Sequence, residues 1–385
     1  MINILWRYLL ANKRGKSPSK ITLMKLWAIS GGRCQFAGCN RRLYKDDLTW
    51  DEFNNSNIAH IVAASPDGPR GSELSHELSD KLENLMLLCP SCHKRIDSNP
   101  IKYTVDFLRK MKCEQERKVQ DLLDSMDYPE SEIVILESPI KGKIVTHVDP
   151  KLAMEALRSA RQKPASKNPI VIDLKVSGSY SSKKYWNTLV DELQDSIQRY
   201  IERIFKRFPD TLFSVFPMAP IPLIAKLGEN LGDKQGISIF QKTRVPNTWC
   251  WVSKGNTNSF NVRKTISNEC NTDKVAIVLS LTSNIVTQRI KAINNYMVIY
   301  EIVASRKDVN CISSEVDLKN FWLTFQKVCD SIKNDYRLDE ADIFPAIPVS
   351  AAFEIGHRYM SHVYPKLHIY DEYNGFFEAL TIGDE

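Results

Sequence analysis

Apolar and polar positions follow one rhythm up to about residue 126 and another from residue 169 onward. In the second region apolar strands alternate with amphipathic helices, which predicts an α/β architecture. Strands are expected over 170–176, 212–216, 237–240, 275–281, 297–304, 343–346 and 367–370. Helices are expected over 185–208, 222–231, 285–293, 316–334 and 350–360; the first places Trp186, Leu189, Leu193, Ile197, Ile201 and Ile204 on one face. In the first region a helix over 21–30 follows a Ser19 cap, and a strand over 57–63 carries the run IAHIV. A helix starts at Pro90 and a charged helix covers 105–126. Residues 127–168, punctuated by Pro129, Pro139 and Pro150, read as a linker with one short helix over 150–160.

The second region repeats itself. FPMAPIPLIAKLGENL (216–231) aligns without a gap on FPAIPVSAAFEIGHRY (344–359), an offset of 344 − 216 = 128. Phe216, Pro217, Pro220 and Gly228 fall on Phe344, Pro345, Pro348 and Gly356. Two related, fused α/β halves follow, although the strand at 297–304 has no evident counterpart in the first half. Ligands of open α/β sheets bind beyond the carboxyl ends of the strands, so the two halves are expected to share a pocket there. Ser177, Gly178, Ser179 and Tyr180, with Thr282, Ser283 and Asn284, form small, hydroxyl-rich loops that suit close approach to a phosphate and equally suit helix capping. Pro217, Pro220 and Pro348 offer rigid walls, each repeat leading into a helix N-terminus open to an anion. Between the halves, Lys242, Arg244, Lys254, Arg263 and Lys264 interleave with Trp249, Trp251 and Phe260. That mixture suits a stacked nucleotide, and equally a hairpin with tryptophans in its core.

Composition alters this picture little. The 385 residues, 43% hydrophobic and 25% charged, fit a soluble globular protein of two or three domains. No apolar run approaches the roughly 20 residues that span a bilayer. The opening INILW is too short for a signal-peptide core, so a cytoplasmic protein with no membrane partner is expected. Charge says more. Of a net +6, residues 1–45 carry ten Lys or Arg and no Asp or Glu, a distribution suited to a polyanion such as DNA.

The chemistry concentrates between residues 31 and 97. Cys34 and Cys39 form one close pair and Cys89 and Cys92 another, the spacing of two knuckles that share a tetrahedral zinc ion. Four buried thiols without metal are the alternative. The other cysteines (113, 250, 270, 311, 329) are scattered and odd in number, which fits a reducing compartment. On the same frame ride His60 in IAHIV, Asn84 in LENLMLLC, and His93 directly after the last knuckle cysteine. An imidazole has a pKa near neutrality and suits proton transfer, and phosphodiester attack also needs a cation.

In that order, His60, Asn84 and His93 resemble the HNH endonuclease family, a ββα-metal motif framed here by zinc. The resemblance implies that His60 is the general base, that Asn84 fixes the loop carrying it, and that His93 is a ligand of a catalytic Mg²⁺ or similar ion. The family often has an acidic residue before the first His, where this chain has Ala59. Asp97, His76, a backbone carbonyl or water then completes the ion's shell, and Arg70 is placed to reach a scissile phosphate. Residues 165–385, through the repeated FPxxP…G segments and element order, resemble the SAVED domain, which is similar to two fused CARF-type Rossmann-like units and senses cyclic oligonucleotides.

The fold class expected is therefore an α+β zinc-framed ββα-metal (HNH) nuclease domain over 1–126, a linker over 127–168, and an α/β domain of two Rossmann-like (CARF-like) halves over 169–385. Together the two resemblances imply an HNH–SAVED effector of bacterial cyclic-oligonucleotide anti-phage defence (CBASS). Such a protein is a homo-oligomer that enlarges on binding a cyclic di- or trinucleotide and degrades double-stranded DNA in abortive infection. Two other classes fit the residues. One is an HNH restriction-type enzyme whose C-terminal domain reads modified DNA without a small-molecule activator, and the other a non-catalytic zinc DNA binder in which Ala59 marks a dead metal site.

Overall fold

The structure is a computed structural model that describes residues 15–142, 147–233, 236–251, 257–267 and 272–383. It divides into two compact units, Met1–Asp127 and Tyr128–Glu385.

In the first unit, α1 (Lys20–Ser30) opens on Ser19, whose hydroxyl accepts from the Thr22 N–H at 3.2 Å, and stops at Gly31 in the left-handed conformation with φ 62°. The chain then passes through the first cysteine pair to β1 (Asn57–His60), α2 (Ser75–Leu78), a single 3₁₀ turn (Leu82–Asn84), β2 (Leu85–Leu88) and α3 (Pro90–Asp97). β1 and β2 pair antiparallel, with Ala59 opposite Met86 and His60 opposite Leu85. β2 is buried throughout, and α3 follows it at once with Pro90 in its first turn. β1 ends at residue 60 rather than 63 because the Val62 N–H donates to the Asn84 side chain at 2.8 Å instead of to a ladder partner. Helix α4 (Val105–Asp124) closes the unit over a core that includes Leu26, Leu43, Ile61, Ile96 and Leu108. Gln35 stitches the first knuckle to β2: its backbone N–H donates to Leu87 O at 2.9 Å, and its Oε1 accepts from Leu87 N at 2.8 Å.

The second unit contains two sheets. The first joins β3 (Glu130–Glu137), β4 (Lys163–Pro164), β5 (Ile170–Asp173), β6 (Leu212–Met218) and β7 (Ile237–Ile239), all parallel. Helix α5 (Pro150–Ser159) follows β3. Helix α6 (Lys183–Ser196) runs through a π-helical turn (Ile197–Glu202) into α7 (Arg203–Arg207), and α8 (Ile221–Leu231) follows β6. The second sheet holds β8 (Phe260–Ile266), β9 (Val275–Ser280), β10 (Val298–Ala304), β11 (Glu340–Ala346), β12 (Lys366–Glu372) and β13 (Phe376–Ile382). Its helices are α9 (Thr287–Lys291), α10 (Glu315–Asp335) and α11 (Val349–His357). Four parallel strands, β12-β11-β9-β10, form its centre, and β13 and β8 add antiparallel edges.

The stretch 127–168, expected as a linker, holds β3 at the heart of the first sheet together with α5 and β4. Prolines 129 and 139 bracket an apolar strand there rather than a loop. With β3 in place, the strand the repeat lacked also finds its counterpart. In the first sheet β5, β3, β6 and β7 lie side by side as β10, β9, β11 and β12 do in the second. The counterpart of β10 is thus β5, and that of β9 is β3.

Pro217 pairs with Leu136 and Pro345 with Leu279 in these ladders, while Pro220 and Pro348 stand at the starts of α8 and α11. The two helices cross through the repeat glycines, and Lys226 on α8 donates to Thr381 O on β13 at 3.1 Å.

Candidate functional site

In the first unit the ββα elements bring the predicted residues into one neighbourhood. Asn84 is 2% exposed, and each of its polar atoms is used. Its Oδ1 accepts from Val62 N at 2.8 Å, and its Nδ2 donates to Val62 O at 2.9 Å and Leu78 O at 3.1 Å. It therefore fixes the end of β1 and the turn after α2 in a single set of bonds. His60, half-buried at the end of β1, has Nε2 3.1 Å from Ser79 O in that turn. A carbonyl only accepts, so Nε2 carries the proton, and a neutral ring in this tautomer has its lone pair on Nδ1.

On α3, His93 and Asp97 are one turn apart, with His93 Nε2 3.5 Å from Asp97 Oδ2. His93 Nδ1 lies 3.2 Å from the side-chain amide of Asn57 on β1. As placed, Asn57 Nδ2 donates to Nδ1 and holds the ring with Nε2 towards Asp97 Oδ2; an ion bound through Nε2 would require the amide to turn its oxygen to an Nδ1–H. The residues thus fit such an ion. Asn57 was not legible from the sequence; its only signal was its place three residues before His60. Ala59 is buried in the apolar core opposite Met86 and offers no ligand, and His76 is exposed on α2.

Arg70 does not point to a phosphate. Its side chain is 4% exposed and donates through Nε to Ile61 O at 2.8 Å, through one Nη to Ile96 O at 2.9 Å, and through the other to Asp97 Oδ1 at 2.8 Å and His60 O at 3.4 Å. One guanidinium thereby ties the backbone of His60 to the carboxylate beside His93. The left-handed backbone at Arg70, φ 60°, aims it inward.

The Sγ atoms of Cys34, Cys39, Cys89 and Cys92 all lie within 4.8 Å of one another. Cys39 Sγ and Cys89 Sγ are 3.9 Å apart, close to the ~3.8 Å edge of a tetrahedron with Zn–S bonds of about 2.3 Å. Burial pushes the Cys34 thiol up to about 12 and raises that of Cys92 as well. At Cys89 burial acts in the same sense, but hydrogen bonds from Cys92, Cys39 and Cys34 outweigh it and hold that thiol low. So crowded a buried set stays ionised only around a cation, and the four thiols fit one.

In the second unit a cavity of about 340 Å³ opens where strand ends from both halves meet. Thr282, Ser283 and Asn284 line it after β9, Pro220 after β6, Ala346 and Ile347 at the end of β11, and Asp371 and Glu372 at the end of β12. Lys141 and Arg289 supply positive charge that the sequence reading did not single out. Arg289 pairs with Glu372 at 2.6 Å and lies over the Phe376 ring at 4.9 Å. The Thr282 hydroxyl donates to Ala346 O at 3.0 Å, so it also joins β9 to β11.

Other candidates lie elsewhere. Ser177 and Gly178 line a separate concavity, where Ser179 O accepts from Ser182, the N-cap of α6, at 2.8 Å. The capping alternative describes that loop. Tyr180 is buried, yet its hydroxyl donates to Asp371 Oδ2 at 2.5 Å, tying the first half to the rim of the shared cavity. Burial raises the Asp371 carboxyl, against the bond from Tyr180. Pro217 and Pro348 are buried backbone positions. Trp249 is 1% exposed against Phe216 and Phe240, and Lys242 lies 5.5 Å over its ring. Trp251 packs between two core clusters. Trp249 is therefore core and Trp251 half-buried against it, and Lys254 lies outside the described residues. At the N-terminus of α11, Gln241 Oε1 accepts from Ser350 N at 3.1 Å and Oγ at 2.7 Å, while Val349 lines the shared cavity. Among the described residues no helix is long and apolar enough to cross a membrane.

Comparison with known proteins matches two domain families. Residues 71–98, from just after Arg70 to the end of α3, match the HNH endonuclease model. Residues 193–382 match the SAVED model, the SMODS-associated and fused to various effectors sensor domain. No curated protein matches the chain significantly. Among solved structures, similar ones include the Acinetobacter baumannii Cap4 SAVED/CARF-domain containing receptor with the cyclic trinucleotide 2′3′3′-cAAA, at 12% identity over 80% of this chain and 66% of that one, TM-score 0.42. The same receptor with 3′3′3′-cAAA is 12% identical over 75% and 60%, TM-score 0.42. The Moraxella osloensis Cap4 receptor is 10% identical over 75% and 60%, TM-score 0.38. The chain spans less than two thirds of the length of these receptors. On these two matches, the chain carries an HNH endonuclease domain followed by a SAVED sensor domain.

Proposed function

We propose that this protein is a metal-dependent DNA endonuclease, switched on by a cyclic di- or trinucleotide and acting on double-stranded DNA in bacterial anti-phage defence of the CBASS type, by abortive infection. The observation that carries the nuclease reading is the Arg70 clamp, which ties the His60 backbone to the Asp97 that sits 3.5 Å from His93. His60 Nδ1 takes a proton from the attacking water as its oxygen bonds to phosphorus and the phosphodiester P–O bond breaks. Ser79 O holds the ring in that tautomer, and Asn84 holds the turn that carries Ser79. His93, oriented by Asn57, and Asp97 would hold a Mg²⁺-like ion, which when bound offsets the charge growing on the phosphate. Structural zinc on the four cysteines ties the first knuckle to the start of α3.

For the sensor, we read the two sheets as fused Rossmann-like halves whose strand ends build one pocket. Arg289, Lys141 and the Thr282–Ser283 loop suit the phosphates of a cyclic oligonucleotide there, and ligand-driven association of this domain into a larger homo-oligomer is the switch. The A. baumannii receptor structures hold cyclic trinucleotides, which suits this ligand class. The test is cleavage of plasmid DNA with Mg²⁺, with and without a panel of cyclic di- and trinucleotides. Cleavage confined to one or a few nucleotides is expected; equal cleavage without any would overturn the gated reading.

A further inference from the structure

Gly15 and the start of α1 lie beside the turn that holds His60. Gly15 N–H donates to Ala64 O at 2.7 Å, and a Cβ on Gly15 would lie 2.5 Å from both Cβ and Oγ of Ser79. Further along, Ser19 N–H donates to Asp80 Oδ1 at 2.7 Å and the Thr22 hydroxyl to Asp80 O at 3.4 Å. Ser79 between them is 1% exposed, with its hydroxyl committed to His76 O at 2.8 Å and its carbonyl facing His60 Nε2 at 3.1 Å. The preceding carbonyl, Leu78 O, is the one held by Asn84. Ser79 is therefore gripped on both sides: by Asn84 through Leu78, and by the start of α1 through Asp80.

We propose that Asp80 is a positioning residue of the active site, clamping the 78–80 turn to the N-terminal end of α1 so that the Ser79 carbonyl keeps His60 in its Nε2–H form. The kinetic consequence rests on the nuclease reading above; the tautomer itself does not. Only the Nε2–H ring presents its lone pair at Nδ1, so a turn free to swing away would let both tautomers form and leave part of the population unable to take the proton. The plainer role for Asp80 is a carboxylate beside a helix N-terminus, where it stabilises α1 and nothing more. That role predicts a change in melting alone.

The two roles separate in the full-length protein with isotope-labelled histidine, where NMR reports the tautomer of His60 and the signal is assigned by its loss in His60→Gln. Asp80→Asn keeps an acceptor for the Ser19 N–H and should leave His60 in the Nε2–H form. Asp80→Ala should mix the tautomers and lower kcat on DNA roughly tenfold, part of the 10²–10⁴-fold that a general base contributes, with KM unchanged. Gly15→Val, which pushes on Ser79 without touching Asp80, should give the same mixture and stands in if Asp80→Ala does not fold. A His60 tautomer unchanged in both Asp80→Ala and Gly15→Val would overturn the proposal. Wild-type protein inert on DNA under every condition would instead overturn the nuclease reading, while the tautomer still reports on the clamp.

Discussion

Gly228 and Gly356 meet at the crossing of α8 and α11. A Cβ on Gly356 would stand 1.8 Å from Ala225 O, and one on Gly228 would stand 2.3 Å from Phe353 O. The two residues are equivalent in the repeat, so the halves pack through the same position from each side, backbone against backbone. No side chain fits there without moving a helix, and helices of a packed core yield little. Gly356→Ala should therefore cost about 3 kcal/mol, the upper part of the usual overpacking range. In a unit of this size that is a fall in Tm of about 6–12 °C by calorimetry. A change within a degree or two would mean the helices can separate.

The knuckle cysteines hold together segments that lie fifty residues apart in sequence, at Cys39 and Cys89. Cys89→Ser should lose the bound zinc and unfold the nuclease unit, because a structural site contributes its binding free energy to folding. Elemental analysis and circular dichroism check this together. A soluble variant with full zinc and unchanged melting would contradict it.

The roles proposed for His60 and His93 are separable. His60→Ala should reduce cleavage by at least about 10²-fold while metal content, melting and nucleotide binding stay as they were. His93→Ala should also abolish cleavage, but through loss of the catalytic ion, so raised Mn²⁺ should restore part of its rate and none of the loss in His60→Ala. Equal rescue of both variants would show that the roles are misassigned.

Much of the candidate site is legible because its residues are close in sequence and chemically rare. Two cysteine pairs, a His in an apolar run and an Asn–His spacing survive any uncertainty about element ends. What escaped was set by tertiary hydrogen bonds. Arg70 reads as an exposed basic residue after a Pro-Asp-Gly-Pro turn, and only the fold shows all three guanidinium nitrogens bonded within the unit. Asn57 acquires its role from a helix 36 positions on. In the second unit β3 is hidden because Pro129 and Pro139 read as loop signals, although SEIVILE between them is an apolar strand pattern. β13 was missed although Asn374-Gly375, both with positive φ (57° and 129°), marks a hairpin turn before an apolar run. The aromatic and basic residues of 241–265 misled for the opposite reason. Aromatics that suit a base suit a core equally well, and Trp249 went to the core.

The central claim is that one ligand controls both assembly and chemistry. Shifting a resting population from 1:99 to 99:1 takes about 5.5 kcal/mol of preference for the active arrangement, which contacts formed only in a ligand-bound assembly can supply. The direct test titrates a cognate cyclic di- or trinucleotide into full-length protein with Mg²⁺ and plasmid DNA, following particle mass by light scattering and cleavage on the same sample. The account predicts almost no cleavage without nucleotide, then a rise in mass and in cleavage at the same ligand concentration, with Arg289→Ala moving both curves together to higher concentration. Full cleavage with no nucleotide, or saturable nucleotide binding that changes neither mass nor cleavage, would contradict it.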